Sequence, residues 1–410
     1  MKILQKENVD NKITTLSKNK SERANNKKEG EVRDQWTQEE KEEALNLLKQ
    51  PDLLNRFQQD MNQVYAYREK EKILLKLAFT GRKVLNNTKG TGVVVRGPSS
   101  VGKSALVDVV LATCEEGDKK VFTRITPQYL LYTQESFARK ILVIYELPGA
   151  EDASLSIRTG LSESTLKVGT VDKNRSGGLG VRENEIDATG IVFVTTTIRP
   201  EIDFELGTRV IIIELEHDPD IAGEVYKLMS NSVNQESEIA DLRIWKVADS
   251  VLTPRNVKVL FAEKLAKVFP RNKERYLRDF ARVLHLIQAS ALLHQHQRPI
   301  ENGSVIATEE DYKIVYELQD IIFPDICDPK LEDFIKAVKA FKNDSRQWPT
   351  RKQVERYLQT SLATVKRRVK NAMELGVISV SKHGDEGVIK VIAELNILSP
   401  LSAPGEIFIQ

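Results

Sequence analysis

Cysteine is scarce in this sequence, which has two cysteines among 410 residues, Cys114 and Cys327. Two thiols so far apart along the chain do not make a disulfide framework, and they do not supply the clustered ligands of a structural zinc site. Their scarcity is typical of a chain that folds in a reducing compartment. The sequence therefore excludes the class of small, disulfide-stapled secreted domains.

Long apolar runs and an excess of one charge are also missing. No segment reaches the ~20 apolar residues that a membrane-spanning helix needs, and residues 1–12 lack the apolar stretch of a signal peptide. We therefore expect a cytoplasmic protein without membrane attachment. Because 61 Lys and Arg nearly balance 59 Asp and Glu, overall charge does not indicate a nucleic-acid-binding protein. Any basic surface must then be local.

Hydrophobic residues make up 40% of the chain, which suffices for two or three domains. Residues 1–35 are rich in Lys, Asn, Glu and Ser and contain few large apolar groups, so we expect a disordered tail there. Apolar residues at helical spacing predict a helical collar over residues 36–83. Thr37 and Glu40 have the spacing of a capping box at its start.

Short apolar runs then alternate with helical stretches. Because strands that are apolar on both faces belong to parallel sheets covered by helices, we predict an α/β domain over residues 84–218. Within it, residues 161–189 predict a hairpin insertion. Residues 219–325 predict a helical lid, which includes a helix over residues 257–269. The predicted strands are 92–96, 140–145, 190–194 and 210–213.

Three helical stretches and two short strands over residues 331–395 predict a winged helix, followed by a tail at 396–410. This segment has 13 Lys and Arg against 8 Asp and Glu. A basic helix in the position of a recognition helix favours DNA binding. The alternative is a winged helix that contacts another protein. The basic residues of its third helix are Lys366, Arg367, Arg368 and Lys370.

A glycine-rich segment follows the first predicted strand and opens a helix. Glycines let the backbone wrap around phosphates, and the free amides at the helix start favour negative charge. We predict that Lys103 contacts the terminal phosphates of ATP and that the Ser104 hydroxyl holds Mg²⁺. The predicted nucleotide-binding residues are Gly97, Pro98, Ser99, Ser100, Val101, Gly102, Lys103, Ser104 and Ala105.

Two further strand ends carry polar groups. Glu146 follows the second apolar run, where a carboxylate binds magnesium or polarises the attacking water. The neighbouring position, where a second acid is common, is Tyr145, so one role is unassigned, and Glu151 or Asp152 could supply it. Thr197 ends the third run, where a hydroxyl between carboxylate and phosphate positions water. Alternatively, threonine is present there only as a good strand former.

Basic residues near the end of the domain and in the hairpin suggest an oligomer that holds DNA. Arg199 and Arg209 are candidates for a guanidinium that a neighbouring subunit supplies during phosphoryl transfer. The alternative is a surface salt bridge. A basic hairpin tip in the pore of a ring could hold a phosphate backbone, although a flexible polar loop is the other interpretation. The predicted DNA-contacting residues of the hairpin are Lys167, Lys173, Asn174 and Arg175.

Together, these motifs resemble the AAA+ helicase domain of mobile-element and phage primase-helicases, which are related to superfamily 3 helicases. The resemblance covers about residues 45–300. Each string is short, but their order and spacing are specific. They are GPSSVGKS, KILVIYELPGAEDA, IRTGLSE, VTTTIRP with ELGTRV, and RDFARVLHLIQASALLHQHQR.

The resemblance implies a hexameric ATPase that uses ATP and Mg²⁺ and moves along DNA. By position, Arg209 matches the arginine finger, and Thr197 falls where such helicases place a polar sensor. Arg278 resembles a nucleotide-sensing residue of the lid, with Arg275 as a neighbouring candidate. Longer members carry a zinc finger and a primase domain. This chain lacks both, so we expect no primer synthesis and a separate primase or polymerase as a partner.

The sequence thus predicts an ATP-dependent DNA helicase or replication initiator of a mobile element or phage. Single-stranded DNA would occupy the pore of the ring, and duplex DNA would bind the winged helix. One alternative is a non-unwinding AAA+ loader of another replication protein. Another is a DNA-binding regulator in which ATP only sets the oligomeric state.

Overall fold

The structure is a computed structural model that divides the chain into two compact units. The first contains Met1–Val259 and His285–Ala307, and the second contains Leu260–Leu284 and Thr308–Gln410. The tail predicted at 1–35 lies outside the described residues. The structure describes residues 36–126, 128–146, 150–173, 179–199, 204–234, 242–271, 275–323, 329–374, 377–383, 386–392 and 401–408.

Three helices begin the first unit. The capping box predicted at the start of α1 is confirmed, because the Glu40 N–H donates to Thr37 Oγ1 at 3.2 Å. The Thr37 N–H in turn donates to the Glu40 carboxylate at 2.8 Å. Helix α3 is buried over most of its length and packs against the sheet. The three helices are α1 (Gln38–Leu48), α2 (Leu53–Asn62) and α3 (Glu69–Gly81).

The rest of the first unit is built from strands and helices in alternation, with a short 3₁₀ turn at Glu116–Asp118. The strands are β1 (Thr91–Arg96), β2 (Lys119–Arg124), β3 (Ile141–Glu146), β4 (Thr165–Lys173), β5 (Leu179–Asp187), β6 (Val192–Thr197), β7 (Val210–Glu214), β8 (Val257–Lys258), β9 (Ile300–Glu301) and β10 (Ser304–Ile306). The helices are α4 (Lys103–Leu111), α5 (Tyr129–Tyr132), α6 (Ala150–Glu163), α7 (Phe204–Gly207), α8 (Pro219–Asn234) and α9 (Arg243–Val251).

A five-stranded parallel sheet in the order β2-β3-β6-β1-β7 forms the centre of this unit and confirms the predicted α/β class. In register, Arg96 at the end of β1 lies opposite Thr197 of β6 and Glu214 of β7. Because all five strands run the same way, their carboxyl ends meet at one edge of the sheet. That edge collects the polar residues that follow the apolar runs.

One face of the sheet packs against α6 and the β4–β5 pair. Strands β4 and β5 are antiparallel, from Thr165 opposite Asp187 to Lys173 opposite Leu179. Their inner side chains join those of the sheet in one apolar cluster. The buried members of this cluster are Val94, Ile125, Leu130, Phe137, Leu142, Ile144, Ile157, Leu161, Leu166, Ile186, Ala188, Ile191, Phe193, Leu206 and Val210.

His285 connects helix α3 to strand β1. Its Nε2 donates to the Gly81 carbonyl at 3.2 Å, and its Nδ1 accepts from the Thr91 hydroxyl at 2.9 Å. Burial lowers the pKa of His285 to about 4, so the ring is neutral near pH 7. The two hydrogen bonds of the neutral ring therefore link the start of β1 to the end of α3.

The second unit contains the remaining elements, except that the residues of α11 from His285 onward are counted with the first. None of the helices in the described ranges is long and apolar enough to cross a membrane. The elements are α10 (Ala262–Val268), α11 (Tyr276–Leu293), α12 (Glu309–Glu317), α13 (Gln319–Ile322), α14 (Pro329–Ser345), α15 (Arg351–Tyr357), α16 (Leu362–Glu374), β11 (Ile378–His383), β12 (Glu386–Val391) and α17 (Pro404–Phe408).

Helices α14 to α16 and the antiparallel pair β11–β12 share a core of their own. An isolated bridge between Thr350 and Val388 joins the start of α15 to β12. The buried residues of this core are Leu331, Phe334, Ile335, Val338, Val354, Val365, Val369, Ala372, Val377, Ile378 and Ile389.

Two segments differ from their sequence-based expectation. The helix predicted over 257–269 begins instead with strand β8, because Val257 pairs with Val305 and because the Asn86 side chain bonds both backbone groups of Val257, each at 2.9 Å. Such long-range pairing overrides a local helical pattern. Helix α10 starts only at Ala262.

The second difference is at 401–408, where the sequence predicts a tail. Leu401 and Ile407 are buried, and the Tyr312 hydroxyl donates to the Ser402 carbonyl at 2.7 Å. The ring of Phe408 packs on Phe261 with centroids 5.0 Å apart. These contacts come from residues about ninety and more positions away, so no periodicity within the segment itself could indicate them.

A buried ion cluster joins the end of α3 to α9. Arg82 contacts the carboxylates of Asp249 at 2.5 Å and Asp118 at 2.8 Å, and both Arg82 and Asp249 are 1% exposed. Burial alone would raise the pKa of Asp249, but the charges of Arg82, Lys83 and Lys76 outweigh it and hold that pKa well below its usual range. The cluster therefore depends on the charge of Asp249.

We expect Asp249→Asn to lower the free energy of unfolding by about 3–5 kcal/mol, because it leaves the buried Arg82 charge poorly compensated. Urea denaturation at pH 7 measures this. The control is Glu116→Gln, since the Glu116 side chain is 63% exposed beside Lys119 and surface pairs contribute about 0–1 kcal/mol. Equal denaturation midpoints for the two variants would contradict the assigned role of Asp249.

Candidate functional site

The segment 97–102 connects β1 to α4 at the carboxyl edge of the sheet. The Gly97 N–H donates to the Thr197 carbonyl at 3.2 Å, and the Leu215 N–H donates to the Arg96 carbonyl at 2.8 Å. A Cβ on Gly97 would lie 2.4 Å from the Leu215 carbonyl oxygen. The start of the loop is thus held on both sides, at a spacing that only glycine permits.

The loop then turns sharply into the helix. Ser100 and Gly102 both have positive φ, of 64° and 90°, and Gly102 directly precedes α4. Side chains from Pro98 to Ser100 are exposed, as are those of Ser104 and Ala105, whereas Val101, Gly102 and Lys103 are partly buried. The first N–H groups of a helix have no partner within it, and they favour an anion. The nine residues at 97–105 that are predicted to bind nucleotide therefore form this largely exposed turn and the first residues of α4.

Lys103 is the first residue of α4. Its Nζ donates back to the carbonyls of Gly97 at 3.0 Å and Pro98 at 2.5 Å, so the side chain lies across the loop. Burial lowers the pKa of the Lys103 ammonium. A flexible ammonium held over backbone carbonyls can move to a phosphate oxygen when one enters the turn.

Residues between α2 and α3 support the loop from the other side. The Tyr65 hydroxyl donates to the Gly102 carbonyl at 3.3 Å, and a Cβ on Gly102 would lie 2.9 Å from that hydroxyl. The Lys72 ammonium donates to the Tyr65 carbonyl at 3.0 Å, and Arg68 donates to the Glu216 carbonyl at 2.7 Å. No local pattern in the sequence indicates this support, because it joins residues far apart in the chain.

Strand β6 lies between β1 and β3 in the sheet. Thr197, at its end, is partly buried, and its hydroxyl accepts the Arg199 N–H at 3.0 Å. Glu146 ends β3, opposite Arg124 in register. The ends of β3, β6 and β1 therefore lie side by side in this order. Thr197 thus ends the strand between the one that ends at Glu146 and the one that leads into the loop, as its predicted role requires. The side chains of Glu146, Glu151 and Asp152 are outside the described part of the structure.

Tyr145, beside Glu146, contacts the helix that follows the loop. Its hydroxyl donates to the carboxylate of Asp108, and its carbonyl accepts the Thr196 hydroxyl at 2.8 Å. Burial raises the pKa of Tyr145 well above its usual range, and the Asp108 hydrogen bond raises it further, so the phenol stays a donor. Asp108 is not among the site residues predicted from the sequence, although its spacing of four from Ser104 puts both on one helix face.

Arg209 lies at the opposite edge of the sheet, just before β7. Its Nε donates to the Ser162 hydroxyl at 3.0 Å and its Nη1 to the Glu205 carbonyl at 2.9 Å. The next residue, Val210, is opposite Gly92 near the start of β1. At about 3.3 Å per residue, roughly 16 Å of strand separates that level from Gly97. The structure therefore does not bring Arg209 to the loop of its own chain.

The hairpin residues are described in part. Lys167 has a side chain 72% exposed, 3.2 Å from Glu185 on the paired strand. Lys173 ends β4, and Asn174 and Arg175 lie outside the described residues. The Asn184 amide donates to the Leu131 carbonyl at 2.6 Å and so ties β5 to α5.

The remaining candidates belong to the second unit. Arg278 is exposed on α11, beside the buried Asp279. Asp279 accepts bonds from Arg275 at 3.1 Å and from Arg282 at 2.7 Å, so Arg275 is engaged in an ion pair. Helix α16 presents basic groups to solvent. Its exposed residues are Lys366, Arg367 and Lys370, and Arg368 is partly buried.

We expect Gly97→Ala to lower the free energy of unfolding by about 1–3 kcal/mol, because the new methyl group cannot fit beside the Leu215 carbonyl. The control is Gly207→Ala, where a Cβ meets nothing within 4 Å and should be neutral or stabilise by up to about 1 kcal/mol. Urea denaturation compares the two. A Gly97→Ala protein as stable as wild type would show that the loop is not held this tightly.

No protein-family model and no curated protein matches the chain. Within the described ranges, no group of three or more His, Cys, Asp and Glu side chains could hold a metal ion.

Proposed function

We propose that the chain is an ATP-dependent DNA helicase or replication initiator of a mobile element or phage, acting as a ring. The observation that carries this proposal is the largely exposed turn at 97–102, which contains two residues of positive φ and lies between a strand end and a helix start. Successive N–H groups in such a turn form an anion-binding concavity that suits phosphates. ATP is the substrate proposed for it.

The residues of the turn fit a nucleotide with magnesium. Lys103 supplies a cation for the terminal phosphates, and the exposed Ser104 hydroxyl is a hard oxygen ligand of the kind that Mg²⁺ takes together with phosphate oxygens. When bound, magnesium neutralises charge on the phosphate oxygens. In this proposal Glu146 accepts the proton of the attacking water, and Thr197 orients that water. Arg278 senses the nucleotide.

The position of Arg209 supports an assembly of several copies. Within one chain, Arg209 and the loop lie at opposite edges of the sheet, so Arg209 can act at a reacting phosphate only in the site of a neighbouring copy. We infer a site shared between subunits, in a ring whose size we take as six from the resemblance to superfamily 3 helicases. A guanidinium supplied in this way raises phosphoryl-transfer rates by about 10³–10⁵.

DNA is the proposed polymeric partner. The hairpin around Lys173 to Arg175 would hold a single strand in the pore, and the exposed basic residues of α16 would contact duplex DNA. A separate primase or polymerase would act on the unwound strand. Because α16 carries this basic face independently of any motor, a DNA-binding regulator controlled by ATP is the second candidate.

Mixing two inactive variants tests the shared site. We expect Lys103→Ala and Arg209→Ala each to lower ATP turnover by at least a hundredfold. An equimolar mixture should regain a measurable part of it, because some interfaces then pair an intact loop with an intact Arg209. Steady-state phosphate release measures both. Normal turnover by Lys103→Ala would refute the nucleotide site, and a mixture no more active than its parts would refute the shared one.

A strand-displacement assay tests the motor. We expect wild type to release a labelled strand from a forked duplex with ATP, and Lys173→Ala/Arg175→Ala to lose release while keeping ATP turnover. The control is Lys264→Ala/Lys267→Ala, which removes two exposed lysines of α10 and should unwind normally. ATP turnover without unwinding by wild type would instead favour a loader or a regulator.

A further inference from the structure

The contact between Tyr145 and Asp108 lies at the position where the proposed site lacks a second acid. Tyr145 lies at the strand end directly before Glu146, and its hydroxyl donates to the Asp108 carboxylate on α4. The contact bridges 37 positions of sequence. Asp108 is exposed, so this bond is not needed to bury an apolar core.

Helix geometry places Asp108 next to the residue proposed to hold magnesium. Ser104 and Asp108 are four residues apart on α4, which puts their Cβ atoms about 5–6 Å apart on one face. Helical side chains lean toward the amino terminus, so the carboxylate of Asp108 leans over the turn that carries Ser104. A magnesium ion held by the Ser104 oxygen would carry waters of its own, and a carboxylate in this position would accept hydrogen bonds from them.

We propose that Asp108 is the second carboxylate of the magnesium site, accepting hydrogen bonds from metal-bound water. Tyr145 is a positioning residue that holds this carboxylate. The inference rests on the proposed ATP-binding function and adds a residue to it. At the strand position where a second acid is common, this chain has Tyr145. The acid is instead Asp108 on α4, and the Tyr145 hydroxyl reaches its carboxylate.

The backbone around Tyr145 makes it suited to this role. Its carbonyl accepts the Thr196 hydroxyl at 2.8 Å, and Thr196 is buried in β6, the strand between β3 and β1. The backbone of Tyr145 is therefore held by a buried side chain of β6, its neighbouring strand. Outer hydrogen bonds of this kind orient the groups around a metal, and their loss typically lowers metal affinity by about 10–100-fold.

The test follows magnesium dependence in binding as well as in turnover. Titration calorimetry would measure ADP affinity at increasing Mg²⁺, and phosphate release would measure turnover over the same range. We expect Asp108→Asn to raise the half-saturating Mg²⁺ concentration about tenfold in both assays, with most activity restored at saturating Mg²⁺. Tyr145→Phe should raise it less, and Asp108→Asn/Tyr145→Phe should match Asp108→Asn alone, because the phenol acts through the carboxylate.

The control variant is Glu116→Gln, which neutralises an exposed acid in the turn after α4 and should leave the magnesium requirement unchanged. An unchanged requirement in Asp108→Asn, with wild-type ADP affinity and melting temperature, overturns this inference and leaves the proposed function intact. Additive effects of the two substitutions overturn the positioning role of Tyr145. A wild-type protein that binds no ADP with Mg²⁺ overturns the proposed function and this inference with it.

Discussion

Strand β1 is hydrogen-bonded along both sides, to β6 and to β7, and this double ladder is the constraint on which the candidate site depends. At the end of the strand, the Gly97 N–H donates to the Thr197 carbonyl on one side, and the Arg96 carbonyl accepts the Leu215 N–H on the other. The residue at which the chain leaves the sheet is therefore set by its neighbours. Because the exit is set, the turn and the start of α4 occupy a defined position at the carboxyl edge.

Because the strands are parallel, the residues proposed to act on the nucleotide lie at two opposite edges of the sheet. The loop and the ends of β3 and β6 lie at the carboxyl edge, whereas Arg209 lies at the amino edge, held by Ser162 and Glu205. A single sheet cannot bring both edges to one phosphate. If Arg209 acts in phosphoryl transfer, assembly of several copies follows from the geometry of the sheet, independently of any resemblance.

Contacts distant in sequence support the site from both sides. Tyr65 packs against Gly102 from the helical segment before the sheet, and Tyr145 reaches Asp108 from β3. Further out, the ion pair of Arg82 with Asp249 joins α3 to α9 within the same unit. Tyr65 and Tyr145 hold the loop and α4 against the rest of the unit. Because these contacts are directional hydrogen bonds, a small displacement of either partner weakens them.

Local pattern determined much of this protein. Apolar runs on both faces indicated the parallel sheet, Thr37 and Glu40 indicated a helix start, and the glycines around Lys103 indicated the turn, because burial periodicity, capping and backbone freedom are properties of neighbouring residues. Tertiary structure alone decided the pairing of Val257 with Val305, the packing of residues 401–408, and the Tyr145–Asp108 contact. The physical reason is that strand order and long-range packing bring together residues tens of positions apart, which no local period encodes.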